Sequence, residues 1–198
     1  MADILAKLGL DKLERALLYG VVLAVVLAVL TGSLEMSHAW GAFFLRWTHV
    51  LSGVMWIGLL WYFNFVQIPS MPKIPDEQKP AVSKVIAPTA LFWFRWAAAA
   101  TVATGILLAL ASGYLVDALL LKAGQPRLIG LGMWLGLIMA FNVWFVIWPN
   151  QQKALGLVEA SADEKKAAAR IAMLTSRFNT MFSIPMLYFM VGAQNLRT

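Results

Sequence analysis

Two histidines, His38 and His49, stand in a chain of 198 residues that has no cysteine. His49 lies in "LRWTHVLSGVMWIGLLWYFNF", residues 45–65, a run apolar enough to lie in lipid. A histidine in such a run is costly and marks a functional site by default. Arg46 lies one turn before it; Gly53 and Trp56 follow at helical spacings of four and then three, on the same face. A glycine one turn from a histidine leaves room for a flat group. A haem b plane is one candidate, with His49 as ligand to the iron and Gly53, Trp56 and Arg46 around it. The competing reading is a histidine bonded to a carbonyl of the next helix, with Gly53 serving close helix packing. The residues alone leave both readings open.

A haem held between two histidines of one chain is excluded by spacing. His38 is eleven residues before His49, roughly 16 Å along a continuous helix, and axial ligands must face one iron from opposite sides. A second ligand would come from Met, water or another chain. Arg46, Arg95 and Arg177 lie near the ends of apolar runs, where arginine usually snorkels to the headgroups and less often clamps a ligand. Asn142 and Asn179 lie deeper, and with Arg95 they are expected to be polar groups of a bundle interior, the two amides forming interhelical hydrogen bonds. Gly132 and Gly136 in "GLGMWLG" have the small-xxx-small spacing of close helix approach. There is no phosphate loop, no nucleophile elbow and no pair of acids in an apolar run. Ser52 has no acid nearby, so a Ser–His nucleophile is disfavoured, and no catalytic residue is assigned.

These residues need a scaffold, and composition names its solvent. Hydrophobic residues make up 61% of the chain and charged residues 13%, about half the charged share of a soluble domain; the mean hydropathy is +0.73. Nine tryptophans suit the membrane–water boundary. The net charge of +6 does not indicate nucleic acid, because no basic run is long enough to track phosphates. Five apolar stretches are long enough to span a bilayer, roughly 16–34, 41–67, 89–116, 128–149 and 174–195. The first is read as a retained helix and not a cleaved signal. The prediction is an all-α polytopic membrane bundle, one domain over 1–198, with about five transmembrane helices. Two larger connections, 68–88 and 150–173, are expected on the cytoplasmic side. The first has five prolines and is predicted to be mostly irregular. In the second, Ser161 and Glu164 form a capping-box pattern that starts the last helix near residue 162.

Basic residues orient the bundle. Lys7, Lys12, Arg15, Lys73, Lys79, Lys84, Lys153, Lys165, Lys166 and Arg170 fall on one side; Lys122, Arg127 and Arg197 fall on the other. The positive-inside rule predicts N-in and C-out. No internal repeat is strong enough to claim.

Three segments carry a family resemblance. "RWTHVLSGVMWIGLLWYFNF" resembles the second-helix signature of the membrane domain of bacterial cytochrome-fused urate oxidases. "NVWFVIWPNQQK", residues 142–153, and "SRFNTMFSIPMLYFMVGAQN", residues 176–195, resemble its Asn-aromatic-Pro-Asn-Gln segment and its closing helix. "FWFRW", residues 92–96, matches the third-helix entry more loosely. The resemblance implies a bacterial inner-membrane bundle linked to electron transfer, with the family's membrane histidine falling on His49. The family's closing helix usually has histidines where this chain has Phe178 and Gln194. The expectation is a short form without the cytochrome c domain, which keeps the bundle and lacks the full redox path.

The leading reading is therefore a multi-pass inner-membrane electron-transfer or accessory subunit, holding one haem b through His49 and not a complete enzyme alone. A second is a non-redox subunit of a larger membrane complex that binds lipid or quinone. A third is an enzyme that oxidises urate or a related purine. Expected partners are membrane lipids, further membrane subunits or a second copy of the chain, and a periplasmic cytochrome c.

Overall fold

The computed structural model describes residues 2–196. All regular structure among them is helical: α1 (Ala2–Lys7), α2 (Leu13–Leu30), α3 (His38–Lys73), α4 (Lys79–Ala111), α5 (Leu115–Leu119), α6 (Gln125–Ala154) and α7 (Ala162–Asn195). Backbone contacts divide the chain into two compact units, residues 1–43 and 44–198.

The first unit is dominated by α2, "LERALLYGVVLAVVLAVL". None of its residues is buried, and Val21, Leu23 and Leu30 are all more than half exposed. A helix apolar on every side with nothing buried needs an apolar solvent. Its end is a Schellman turn: Gly32 takes a left-handed conformation (φ +66°), and Ser33 N–H reaches back to Ala28 O at 2.9 Å.

The second unit has a core in which Trp56, Leu60 and Phe63 of α3 pack against Leu91, Phe94 and Ala98 of α4, and against Met139, Val143 and Ile147 of α6. α7 joins through a stripe of buried residues, Ala168, Ala172, Ser176, Asn179, Ser183 and Met186. Their spacing of three and four keeps one face on the bundle, and the small side chains let α7 approach closely. On α6, a Cβ on Gly132 would meet Met190 N and Cγ at 3.2 Å, and one on Gly130 would run into Ala118 O. A Cβ on Gly136 would meet nothing within 4 Å. Gly132 thus admits α7 and Gly130 admits α5, and the Gly132–Gly136 spacing is the basis of neither contact.

Among the described residues four helices, α2, α3, α4 and α6, are long and apolar enough to cross a membrane. The expected fifth span falls within α7, which has 34 residues. Ser176, Asn179, Thr180 and Ser183 lower its hydropathy, and three of these four are buried against the bundle. The helix ends also differ from the expectation. Residues 68–88 are not mostly irregular: α3 continues to Lys73 and α4 starts at Lys79. The prolines are absorbed by wide turns. π-helical segments cover Tyr62–Gln67, Val82–Ile86 and Asn142–Ile147, each ending two residues before a proline, Pro69, Pro88 or Pro149. A proline has no N–H to donate and its ring crowds the carbonyl four residues back; a widened turn relieves both problems. Side-chain amides serve carbonyls there: Asn64 Nδ2 donates to Leu60 O at 2.9 Å and Asn150 Nδ2 to Val146 O at 2.8 Å. The first and third π segments lie eighty residues apart, "YFNFVQIP" and "NVWFVIWP", a local echo that sequence identity alone did not mark as a repeat. At the start of α7 the capping box forms as its spacing predicts: Glu164 N–H donates to Ser161 Oγ, and Ser161 N–H to Glu164 Oε2 at 2.7 Å.

Candidate functional site

His49 is half-buried on α3, eleven residues from the helix start at His38. Its Nδ1 lies 2.8 Å from Thr101 O on α4. A carbonyl can only accept, so Nδ1 carries the proton and donates it. That fixes the tautomer and leaves Nε2 with a free lone pair. The Thr104 hydroxyl, 3.4 Å from Nδ1, already donates to Ala100 O at 2.6 Å.

The glycine that admits this ring is Gly105, on the facing helix. A Cβ there would lie 2.8 Å from His49 Cε1 and 3.1 Å from Nδ1. Gly53 plays a different part: a Cβ on it would make an ordinary 3.9 Å contact with Thr101 Cγ2, so it faces α4 with no tight slot of its own. Trp56 is 1% exposed and belongs to the core, with a buried Nε1 that has no hydrogen-bond partner. Arg46 is exposed.

The other polar residues form a seam between helices. Asn142 Nδ2 donates to Asn179 Oδ1 at 2.8 Å, and Asn179 Nδ2 to Met139 O at 2.9 Å. Asn179 is fully buried. Two further links tie α3 to α7: Asn64 Nδ2 donates to Ser176 Oγ at 2.8 Å and Trp61 Nε1 to Ser183 Oγ at 3.0 Å. Trp61, Asn64, Ser176 and Ser183 were not singled out from the sequence. The serines fall on the buried stripe of α7, and that periodicity is the signal that could have found them.

Arg95 does not snorkel. It is 9% exposed, with its guanidinium carbon 3.2 Å from the centroid of the Trp148 ring and 5.9 Å from that of Trp144. Its Nε and Nη1 are buried without a hydrogen-bond partner. The stacked indole offsets part of the cost of burying the charge, about 2 kcal/mol or more for a desolvated pair. Among the described residues, no group of three or more His, Cys, Asp or Glu could hold a bare metal ion; a single axial histidine to a haem is a different arrangement.

Residues 118–195 match the family model described as Urate oxidase N-terminal. The match supports membership of that family. It takes in Asn142, the Trp148–Pro149 turn and all of the α7 seam, and stops short of His49 and Arg95. Of the segments that carry the resemblance in sequence, those at 142–153 and 176–195 lie inside the matched range. No curated protein and no solved structure matches the chain.

Proposed function

We propose that this chain is an inner-membrane subunit, oriented N-in and C-out, that takes part in electron transfer by holding one haem b through His49 Nε2. The observation that carries this reading is the hydrogen bond from His49 Nδ1 to Thr101 O. A histidine that binds iron characteristically donates its other ring N–H to a carbonyl or carboxylate, which holds the ring and raises the basicity of the ligating nitrogen. The chain meets that requirement, and Gly105 gives the ring its place. When bound, a haem supplies one-electron chemistry between ferric and ferrous iron. The chain's own part is to hold the imidazole in one tautomer and orientation within an apolar bundle. The family match and the apolar helices are compatible with a membrane setting of this kind.

The same hydrogen bond favours a second reading. It joins α3 to α4, so His49 can serve as a helix clamp in a non-redox subunit. Visible spectroscopy of protein purified from haem-replete cells separates the two. A Soret band that copurifies with the folded chain supports the first; colourless protein, folded and assembled with its native partners, leaves the second. Oxidation of urate by the isolated chain, the third reading, would show as loss of urate absorbance.

A further inference from the structure

Arg95 carries its charge into the bundle with no acid to meet it. α3, α4 and α6 contain no Asp or Glu, and the acids of α7, Asp163 and Glu164, lie in its first turn. The ion pairs among the described residues, Lys79–Asp76 and Lys122–Asp117, lie elsewhere. The Trp148 ring covers one face of the guanidinium at 3.2 Å. Nε and Nη1 are closed off from any ligand. Nη2 is different: it keeps exposed surface and has no partner among the described residues. One edge of a held cation is thus open to the outside.

Three observations say what meets that edge. The first is depth. Trp148 is six residues before the end of α6 at Ala154, about 9 Å along the helix, and Asn150, Gln151, Gln152 and Lys153 lie in that interval. Arg95 is sixteen residues into α4, yet stacking on Trp148 puts its charge near the polar end of α6, at headgroup level. The second is the rim. The rings of Phe92 and Trp96 pack at 6.4 Å and those of Trp96 and Trp144 at 5.4 Å, a line that crosses from α4 to α6; Phe92, Trp96 and the nearby Phe145 are exposed. Exposed aromatic rings at this depth suit the membrane–water boundary, so lipid covers this surface. The third is charge. An uncompensated buried cation is costly, and a guanidinium matches the oxygens of a phosphate. A second copy of the chain would bring the same acid-free helices to this level, so the counter-ion comes from the lipid.

We propose that the phosphate of an anionic phospholipid docks on Arg95 Nη2 in the groove between α4 and α6, with its acyl chains against Phe92, Trp96 and Phe145. The leaflet is the one at the Lys153 end of α6, the cytoplasmic one in the proposed orientation. The net negative charge of the lipid neutralises Arg95. A zwitterionic lipid offers the same phosphate with its own cation beside it and binds more weakly. This site is separate from His49 and independent of the haem reading, because its test reads no iron.

The test uses the full chain in lipid-free detergent. Palmitoyl-oleoyl phosphatidylglycerol and phosphatidylcholine are titrated separately, and bound lipid is read by native mass spectrometry. The tightest phosphatidylglycerol should bind at least about fivefold more strongly than phosphatidylcholine, the effect of one basic residue on an anionic lipid. Arg95→Met should weaken it by about five- to tenfold, the loss of one charged hydrogen bond, and abolish the preference. Lys166→Met removes the same charge from the exposed start of α7 and should change binding by less than twofold. Inorganic phosphate in large excess should not displace the lipid. Equal affinity for the two lipids, equal losses in Arg95→Met and Lys166→Met, or displacement by inorganic phosphate would each overturn the proposal. So would a dimer that binds no phosphatidylglycerol and dissociates in Arg95→Met, which would assign the charge to a partner chain. Should Arg95→Met fail to fold, a diazirine-bearing phosphatidylglycerol on the wild-type chain decides. Labels within 92–96 or 144–148 support the site, and labels confined to other segments refute it.

Discussion

Gly105 stands opposite His49 because nothing larger fits: a Cβ at that position would come within 2.8 Å of His49 Cε1. The imidazole cannot swing away cheaply, since its Nδ1 is tied to Thr101 O. Gly105→Ala should therefore destabilise the bundle by about 1–2 kcal/mol, the cost of overpacking less the helix preference of alanine over glycine. With His49→Ala already in place the obstacle is gone, and Gly105→Ala should be neutral or stabilising. A double-mutant cycle on thermal melts in detergent measures this coupling. Equal effects of Gly105→Ala in both backgrounds would show that the ring and the glycine do not constrain each other.

The two asparagines of the seam are not equivalent. Asn179→Leu removes two hydrogen bonds, stranding Asn142 Nδ2 and leaving Met139 O with the Asn142 backbone N–H alone; Asn142→Leu removes one and strands Asn179 Oδ1. Each unsatisfied buried group costs about 1–3 kcal/mol, less where the membrane-embedded unfolded state finds other partners. Asn179→Leu should lower the melting temperature more than Asn142→Leu. The reverse order would mean that the bond to Met139 O contributes nothing.

Arg95 gives a prediction of unusual sign. Its charge is buried on Trp148 with two nitrogens unpaired. Replacing a buried charge by an apolar side chain of similar volume is often neutral or stabilising. Arg95→Met should leave thermal stability within about 1 kcal/mol of wild type or raise it. Arg95→Lys should lower it, because an ammonium is strongly hydrated and cannot stack as a plane. Trp148→Leu should be harmful with Arg95 present and much less so with Met in its place. A large loss of stability in Arg95→Met would reveal a partner for the guanidinium.

The apolar runs announced their helices, because a stretch of about 20 apolar residues has few other structures open to it. The start of α7 was readable to the residue, since Ser161 and Glu164 are adjacent in space through local geometry alone. The helix ends around Pro69 and Pro88 were not. Proline reads as a breaker, and the sequence does not say that a widened turn will absorb it. Asn142 and Asn179 stand out as amides in apolar runs, yet that they bond each other depends on how α6 meets α7. Gly105 could not be assigned to His49 from sequence, because the contact spans 56 positions and is set by the packing of α3 on α4. The burial of Arg95 depends on Trp148 in the same way.

The capping box at the start of α7 predicts a pH dependence. The Ser161 backbone N–H, then its hydroxyl, hold the Glu164 carboxyl below the usual glutamate range. A folded-state value below the unfolded one means the contribution is complete above the unfolded value, about 4.3, and is lost as pH falls through the folded one. The Glu164 carboxyl resonance, followed by NMR on acid titration, should have its midpoint below that of glutamate in an unstructured peptide. A midpoint at or above the peptide value would mean that the box does not persist in solution. Glu164→Gln, which can still accept the Ser161 N–H, should keep the helix start and remove the pH response.

The last prediction concerns the iron. If His49 Nε2 ligates haem, the Soret band of the purified protein should vanish in His49→Ala and survive in His38→Ala. His38 is the first residue of α3 and His49 lies three turns further on, so the two cannot meet at one iron. Thr101 supplies its carbonyl from the backbone, so no substitution at that position removes the bond to Nδ1 directly. Thr101→Pro would remove the wrong group, the N–H, and break α4. The useful variant is Gly105→Ala, which displaces the ring while leaving both histidines in place; it should shift or broaden the Soret band. Phe178 and Gln194 stand where the resembling family usually has histidines, so the iron should be five-coordinate or weakly six-coordinate. Reduced protein should then bind carbon monoxide readily, with a sharp shift of the Soret maximum. A spectrum unmoved by carbon monoxide would require a strong second ligand, from a methionine of this chain or from another chain, and only the latter would make the haem an intersubunit group. A Soret band that persists in His49→Ala would remove His49 from the iron altogether and leave its bond to Thr101 as a clamp between α3 and α4.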